Sequence, residues 1–170
     1  LEVKFDFHKK HLAGKNIISF EVVAHPAQEM QVDLQLGLDI DSVIISNQRL
    51  NFRREENAYF VKMPDNLPRS GIQKVTVYYQ GIPRPAIRPP WDGGVIWNKD
   101  KQGNPWISVA CQGLGASVWY PCKDHQSDEP DSASVTMIVP DTLIAIANGR
   151  LKNKMQNGDG TTSYTWAVVS

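Results

Sequence analysis

The sequence has no surplus of either charge, because 18 Lys and Arg residues balance 18 Asp and Glu residues in a chain of 170. A basic surface for nucleic acid or for an anionic membrane is therefore not expected. No uninterrupted apolar run approaches the roughly 18 residues of a membrane-spanning helix, so no membrane partner is predicted either. The first residues, LEVKFDFHKK, alternate like a strand already under way rather than like a signal peptide. We expect both ends to be trimmed from a longer protein, which leaves the compartment open.

Cysteine is scarce, since Cys111 and Cys122 are the two in the sequence. Two cysteines do not make a disulfide framework. They either pair with each other or lie buried as small apolar side chains. The sequence alone leaves both interpretations open.

The motifs of common catalytic sites are also missing, including H-E-x-x-H, a Walker phosphate loop and G-x-S-x-G. Among four histidines, His8 and His11 are three residues apart in a strand-like segment, which places them on opposite faces. They indicate a surface or hairpin feature rather than a zinc site. Ser117 and Asp124 lie near His125, but proximity in sequence does not predict a triad. The isolated chain is therefore expected to be folded, zinc-free and inactive.

What the sequence does contain is alternation of apolar and polar residues with period two, in a composition of 41% hydrophobic and 21% charged residues. Helical periodicity does not persist over the roughly 11 residues of a typical helix. Turns are predicted at HLAG, at Asn47-Gln48, in DNLPRSG, in NKDKQGNP and at Asn157–Gly160. The predicted strand segments are LEVKFDF, NIISFEVVA, MQVDLQLGL, SVIISNQRLNF, NAYFVKM, GIQKVTVYYQG, VIW, WISVA, SVTMIVP, LIAIANGRLKNKM and TTSYTWAVVS. We predict a single all-β domain over residues 1–170, an antiparallel β-sandwich or saddle-like pair of curved sheets with about ten short strands.

Unusual residues concentrate between positions 81 and 131. GIPRPAIRPPWDGG holds four prolines and three glycines, which predicts an ordered surface excursion rather than a central strand. A set of aromatic residues follows or overlaps it, and strand alternation favours packing in the core over a sugar-binding platform. That set is Trp91, Trp97, Trp106, Trp119 and Tyr120.

The loop KDHQSDEPDS, from Lys123 to Ser132, supplies carboxylates at Asp124, Asp128, Glu129 and Asp131. Oxygen ligands of this kind bind calcium, but the spacing matches no EF-hand loop and Pro130 interrupts it. We expect these carboxylates to cap loop amides and to face water, with cation binding over Asp124–Asp131 left as the alternative.

RPPWDGG, VIW and then ACQGLGASVWYPCKDHQSDEPDSA resemble the N-terminal domain of the zinc aminopeptidase family that includes aminopeptidase N and leukotriene hydrolase. The resemblance spans essentially the whole chain and also includes HLAGKNIISF, DLQLGLDIDSVIIS and KVTVYYQG. The form PPWDGG is similar to bacterial members. Many members carry Arg shortly before Pro-Cys, where this chain has Ser117 and Val118. This departure favours a bacterial aminopeptidase over an epoxide hydrolase.

The resemblance implies a saddle-like β domain that packs on a thermolysin-like catalytic domain of the same polypeptide. Zinc would lie in that other domain, and this chain would bind no cofactor. The family's N-terminal domain lends one Glu or Gln side chain to the site that binds the α-amine of a peptide substrate. Counting back from Pro121-Cys122, the matching position is Gln112. Gly113 and Gly115 would permit close approach of the substrate to the backbone.

Two further hypotheses compete with this one. The first is a carbohydrate- or protein-binding β-sandwich that uses exposed Trp-rich loops. The second is a purely structural domain that shields the catalytic cleft and contributes no side chain to it.

Overall fold

The computed structural model describes residues 1–23, 28–68 and 70–169, and this part of the chain is all-β, as predicted. Thirteen strands occur there, rather than about ten, with one short 3-10 turn at Ala116–Val118. No helix in these ranges is long and apolar enough to cross a bilayer. The strands are β1 (Glu2–Asp6), β2 (His11–Glu21), β3 (Glu29–Asp33), β4 (Leu38–Ile45), β5 (Gln48–Leu50), β6 (Phe52–Glu55), β7 (Ala58–Lys62), β8 (Ile72–Gly81), β9 (Gly94–Lys99), β10 (Pro105–Ala110), β11 (Ser132–Pro140), β12 (Arg150–Gln156) and β13 (Thr161–Val169).

The strands form three sheets. The largest has eight strands in the order β12-β13-β11-β1-β2-β8-β4-β5, and smaller sheets are β3-β7-β6 and β10-β9. The large sheet is mixed rather than wholly antiparallel, because β1 pairs with β11 in parallel, with Val3 opposite Met137. A parallel pair needs a long connection between its strands, and more than 120 residues of chain separate these two.

The main hydrophobic core lies between the large sheet and the three-stranded sheet. Leu12, Val43 and Val77 come from the large sheet, and Val32 and Val61 come from the smaller one. These five side chains are at most 1% exposed. Two sheets that bury their apolar faces against each other form a sandwich, as the alternation predicted. A second, smaller cluster centres on Val139, Ala145 and Tyr164.

The first predicted turn was placed too late. HLAG begins β2, and the turn covers residues 7–10 instead. The Asp6 carboxylate accepts hydrogen bonds from the backbone N–H groups of His8 and Lys9, both at 3.0 Å, and so closes the turn earlier. Leu12 thereby enters the core. The prediction that His8 and His11 belong to a hairpin is confirmed.

The predicted strand MQVDLQLGL is two strands separated by a short connection. β3 ends at Asp33 and β4 begins at Leu38. The apolar alternation of the sequence runs on across the gap, but burial does not follow it, since Leu34 is fully buried and Leu36, two positions later, is 64% exposed. At the end of β3 the backbone of Asp33 also pairs with that of Cys122, at 2.7 and 3.1 Å, and Gln35 N then donates to Ser117 O at 3.1 Å. The pattern therefore predicted the burial of Leu34 and Leu38 correctly, but it predicted neither the exposure of Leu36 nor the end of the strand.

Most other predicted loops are confirmed. The excursion at 81–94 is ordered, since the Asp92 carboxylate accepts hydrogen bonds from the backbone of Ile87 at 2.8 Å and of Arg88 at 2.6 Å. The turn at Asn157–Gly160 joins β12 to β13.

The predicted strand LIAIANGRLKNKM is only partly a strand: its second half belongs to β12, and its first half lies outside the strands. His25 and Arg69, the latter in the predicted loop DNLPRSG, lie outside the described residues, as does Ser170 at the end of the last predicted strand.

Candidate functional site

Gln112 lies in the turn that follows β10. The backbone carbonyl of Cys111 accepts hydrogen bonds from Leu114 N at 3.2 Å and from Gly115 N at 2.9 Å, so the turn closes on itself. Gln112 and Gly113 are exposed at its tip. Across residues 1–23, 28–68 and 70–169, the Gln112 side chain makes no hydrogen bond. Its amide therefore faces outward from a turn that does not depend on it.

The two glycines of this turn have different surroundings. Both have positive φ, +77° at Gly113 and +81° at Gly115, a region that side chains disfavour. A Cβ atom at Gly113 would enter open space, whereas one at Gly115 would overlap the Asp124 carboxylate. Gly113 thus leaves room beside Gln112, while the space at Gly115 is already filled by this chain's own side chain.

Asp124 supports the far side of the turn. Its Oδ1 accepts a hydrogen bond from Ala116 N at 2.9 Å, and its Oδ2 lies 3.3 Å from Ser117 N. The backbone N–H of Asp124 donates to Asp33 Oδ2 at 3.0 Å. The prediction that the acidic loop caps loop amides is thus confirmed for Asp124. Asp128 instead forms an ion pair with Lys123.

Gln35 is a second support that sequence reasoning missed. Its Nε2 donates to the backbone carbonyl of Leu114 at 2.9 Å, and its backbone N donates to Ser117 O at 3.1 Å. In the sequence, Gln35 looked like an outward-facing position of a strand. Gly37 was a signal for a break in the strand, and with a φ of +98° it ends the connection that carries Gln35, but it did not indicate the bond to Leu114.

Aromatic residues form the base of the site. Trp119 and Tyr120 meet edge to face with ring centroids 4.7 Å apart, and both pack against the main core. The Asn16 side-chain amide of β2 donates to Pro121 O at 2.8 Å. Burial raises the pKa of Tyr120 to about 12. The segment after the turn is therefore attached to the large sheet by both apolar and polar contacts.

Cys111 and Cys122 are free thiols in the structure, and both are half-buried. Burial raises the pKa of each thiol, and the nearby Asp124 carboxylate acts in the same direction. The Cys122 Sγ lies 3.3 Å from Asp124 Oδ1. Because the thiolate is the nucleophilic form, neither thiol is activated for covalent chemistry.

The residues considered for a triad are engaged elsewhere. Asp124 binds backbone amides, and Ser117 is 2% exposed. His125 Nδ1 lies 2.8 Å from Ser127 Oγ. No group of three or more His, Cys, Asp or Glu side chains comes together to hold a metal ion in the part of the chain that the structure describes.

The expectation that the aromatic set packs in the core is wrong for two members. Trp91 is 78% exposed and Trp106 is 61% exposed. Trp91 belongs to the proline-rich excursion, and Trp106 lies on the two-stranded sheet, so neither alternates into the sandwich. Trp97 is partly buried and contacts Phe5 edge to face, with centroids 6.4 Å apart.

Comparison with known proteins gives structural likeness without a sequence match. No family model matches the chain, and no curated protein matches it. A mutant of the M1 zinc metallopeptidase from Deinococcus radiodurans superimposes with a TM-score of 0.78 at 22% identity, covering 98% of this chain and 37% of that one. Another structure of the enzyme from this organism gives a TM-score of 0.74 at 21% identity, with the same coverage.

Native leukotriene A4 hydrolase from Saccharomyces cerevisiae is a further match, with a TM-score of 0.69 and 15% identity. It covers 98% of this chain and 26% of the hydrolase. The resemblance seen in the sequence is thus confirmed as a likeness of fold, consistent with an N-terminal domain. The chain has the fold of one part of the M1 zinc metallopeptidases and spans 37% of the length of the Deinococcus enzyme.

Proposed function

We propose that this chain is the non-catalytic N-terminal β domain of a zinc aminopeptidase, which removes N-terminal amino acids from peptides. Its contribution to chemistry is Gln112, which binds the α-amine of the substrate and lines the first pocket. The observation that carries the proposal is the exposed Gln112 amide, free of hydrogen bonds within the described residues, on a turn fixed from behind. Structurally similar M1 metallopeptidase mutants bind L-arginine and a Tyr-Ser-Ala substrate, both of which contain an α-amine.

The chemistry of a glutamine side chain suits this role. Its carbonyl oxygen accepts a hydrogen bond from an ammonium group, and its NH₂ donates to a neighbouring carbonyl or carboxylate. A neutral acceptor binds an ammonium less strongly than a carboxylate does. Acidic groups from the rest of the polypeptide would therefore share the amine with Gln112. The open space at Gly113 lets the substrate approach this side of the turn.

The catalytic domain of the same polypeptide is the proposed partner, and zinc belongs to that domain. A bound zinc there would polarise the scissile carbonyl and lower the pKa of a coordinated water. The residues of this chain act on the other end of the substrate, where they orient the amine. The chain alone is expected to be inactive.

The test is a kinetic comparison in the full-length polypeptide that contains this chain. Gln112→Ala should lower kcat/KM for an aminoacyl anilide by roughly 10- to 100-fold, the usual effect of losing a hydrogen bond to a charged group. Gln102→Ala is the matched control, because Gln102 is also exposed in a turn, between β9 and β10. Activity should require zinc in both variants. Unchanged kcat and KM for Gln112→Ala would favour a domain that only shields the cleft.

A second candidate function is supported by the exposure of Trp91 and Trp106. Exposed tryptophans bind sugar rings or apolar side chains of a partner. If this chain is a binding module, Trp91→Ala or Trp106→Ala should abolish binding to a glycan array or to a protein ligand. Neither substitution should change kcat/KM for the aminoacyl anilide, because neither tryptophan lies in the turn that carries Gln112.

A further inference from the structure

The turn that carries Gln112 is held from outside by side chains rather than by a strand ladder. Beyond the bonds that close it on Cys111, the turn is held by Gln35, which donates to Leu114 O and Ser117 O, and by Asp124, which accepts from the N–H groups of Ala116 and Ser117. Since Gly115 immediately precedes these residues, the carboxylate fixes the direction in which the chain leaves the turn. The Asp124 carboxylate therefore fixes the position of the tip of the turn, where Gln112 lies.

Asp124 is itself held in place by β3. Its backbone N–H donates to Asp33 Oδ2 at 3.0 Å, and Asp33 Oδ1 accepts a hydrogen bond from Gln31 Nε2 at 2.8 Å. The backbones of Asp33 and Cys122 exchange hydrogen bonds of 2.7 and 3.1 Å. A continuous set of contacts thus runs from β3 through Asp33 and Asp124 to the exit of the turn.

The chemistry of the contact requires a carboxylate. An ionised Asp has two oxygens that only accept, which matches two backbone N–H donors side by side. An Asn in its place would turn an NH₂ group toward one of these donors. The absence of a side chain at Gly115 is the second requirement, because a Cβ there would overlap the carboxylate.

We infer that Asp124 is a positioning residue for Gln112: it clamps the turn from Cys111 to Ser117 so that the Gln112 amide meets the substrate amine, without touching the substrate. The inference rests on the proposed function of Gln112. It also predicts a property of the turn itself, protection of its amides, which can be measured whether or not Gln112 binds substrate.

The experiment uses the full-length polypeptide with Asp124→Asn, Gln112→Ala and the double variant. Asp124 is exposed, so water competes for each hydrogen bond, and we expect Asp124→Asn to raise KM for an aminoacyl anilide by roughly 5-fold with kcat little changed. The double variant should be no worse than Gln112→Ala alone, because Asp124 acts through Gln112. Asp128→Asn is the control, from the same acidic loop but paired with Lys123.

Hydrogen exchange followed by mass spectrometry, on peptides covering residues 113–117, gives the second readout. Asp124→Asn should speed exchange there and not in β2 or β8. Unchanged exchange would overturn the clamp, and so would multiplicative effects of the two substitutions on KM. Faster exchange with unchanged kinetics in both single variants would overturn the positioning role together with the proposed function.

If Asp124→Asn speeds exchange but only Gln112→Ala changes the kinetics, the positioning role alone is overturned and the proposed function stands.

If Asp124→Asn folds poorly, Gly115→Ala provides the second variant, since it displaces the same carboxylate without altering its charge. It should reproduce both the rise in KM and the faster exchange of residues 113–117. Wild-type exchange and KM in a folded Gly115→Ala protein would contradict the inference.

Discussion

The β2–β8 pair and the turn that carries Gln112 are stabilised in different ways. β2 and β8 pair along ten consecutive positions, from Leu12–Gly81 to Glu21–Ile72, and their alternate side chains fill the core. The turn depends on a few hydrogen bonds, which the Asp124 carboxylate accepts and the Gln35 amide donates. Stability in the sheet is spread over many residues, whereas placement of the turn depends on single side chains. Substitutions near the turn can therefore change its geometry without unfolding the domain.

The largest expected effect is on the sheet. Leu12→Ala should lower the free energy of unfolding by about 2–5 kcal/mol, because Leu12 is fully buried in the main core. Ile17→Ala, on the same strand at a position 51% exposed, should cost far less. Urea denaturation of the two variants measures the difference. Equal losses would show that the sheet is not stabilised by the buried face of β2.

The next effect is within the turn, at its two glycines. Gly113→Ala should lower the free energy of unfolding by about 1–2 kcal/mol, the usual cost of positive φ for a residue with a side chain. Gly115→Ala should lower the free energy of unfolding by roughly 1–3 kcal/mol more than Gly113→Ala does, because its Cβ overlaps the Asp124 carboxylate. Thermal unfolding of both variants tests this. If Gly113→Ala lost more stability than Gly115→Ala, the result would contradict the difference in space around the two glycines.

A smaller effect is expected at the second support of the turn. Gln35→Ala removes the 2.9 Å hydrogen bond to Leu114 O and should cost about 0.5–1.5 kcal/mol. Gln48→Ala, at an exposed position of β5, should have almost no effect. Chemical denaturation of the two variants compares them. If Gln48→Ala cost as much as Gln35→Ala, the contact to Leu114 would contribute nothing to stability.

The smallest effect concerns the excursion at 81–94 and depends on pH. Hydrogen bonds from the backbone of Ile87 and Arg88 lower the pKa of Asp92 below its ordinary value of 3.8. A lowered pKa in the folded state means that Asp92 stabilises the fold above pH 3.8 and that this stabilisation is lost as pH falls through the lower value. The stability difference between wild type and Asp92→Asn should therefore shrink on acidification. A difference that stays constant between pH 6 and pH 2, roughly, would contradict this.

The sequence predicted the regular region well, because its physical signal repeats. The segment GIQKVTVYYQG was predicted as a strand, and β8 runs from Ile72 to Gly81 with Val75, Val77 and Tyr79 buried. Period-two alternation reports burial directly, and such strands end close to where the pattern ends. The same signal misplaced the end of β3, because alternation continued through a segment held by other contacts.

The supports of the turn could not be predicted in this way. Gln35 and Leu114 are 79 positions apart, and Asp33 and Asp124 are 91 apart. Nothing local to Gln35 distinguishes a side chain that binds a distant backbone from one that faces water. The role of Gln112 came from resemblance rather than from its surroundings, and it stays a prediction.

The central claim, that Gln112 binds the substrate amine, is tested most directly with two inhibitors of the full-length polypeptide. One is a peptide-like inhibitor with a free α-amine, and the other is the same compound without that amine. Gln112→Ala should weaken inhibition by the first roughly 10- to 100-fold and leave the second unchanged. Equal weakening of both compounds, or of neither, would contradict the account.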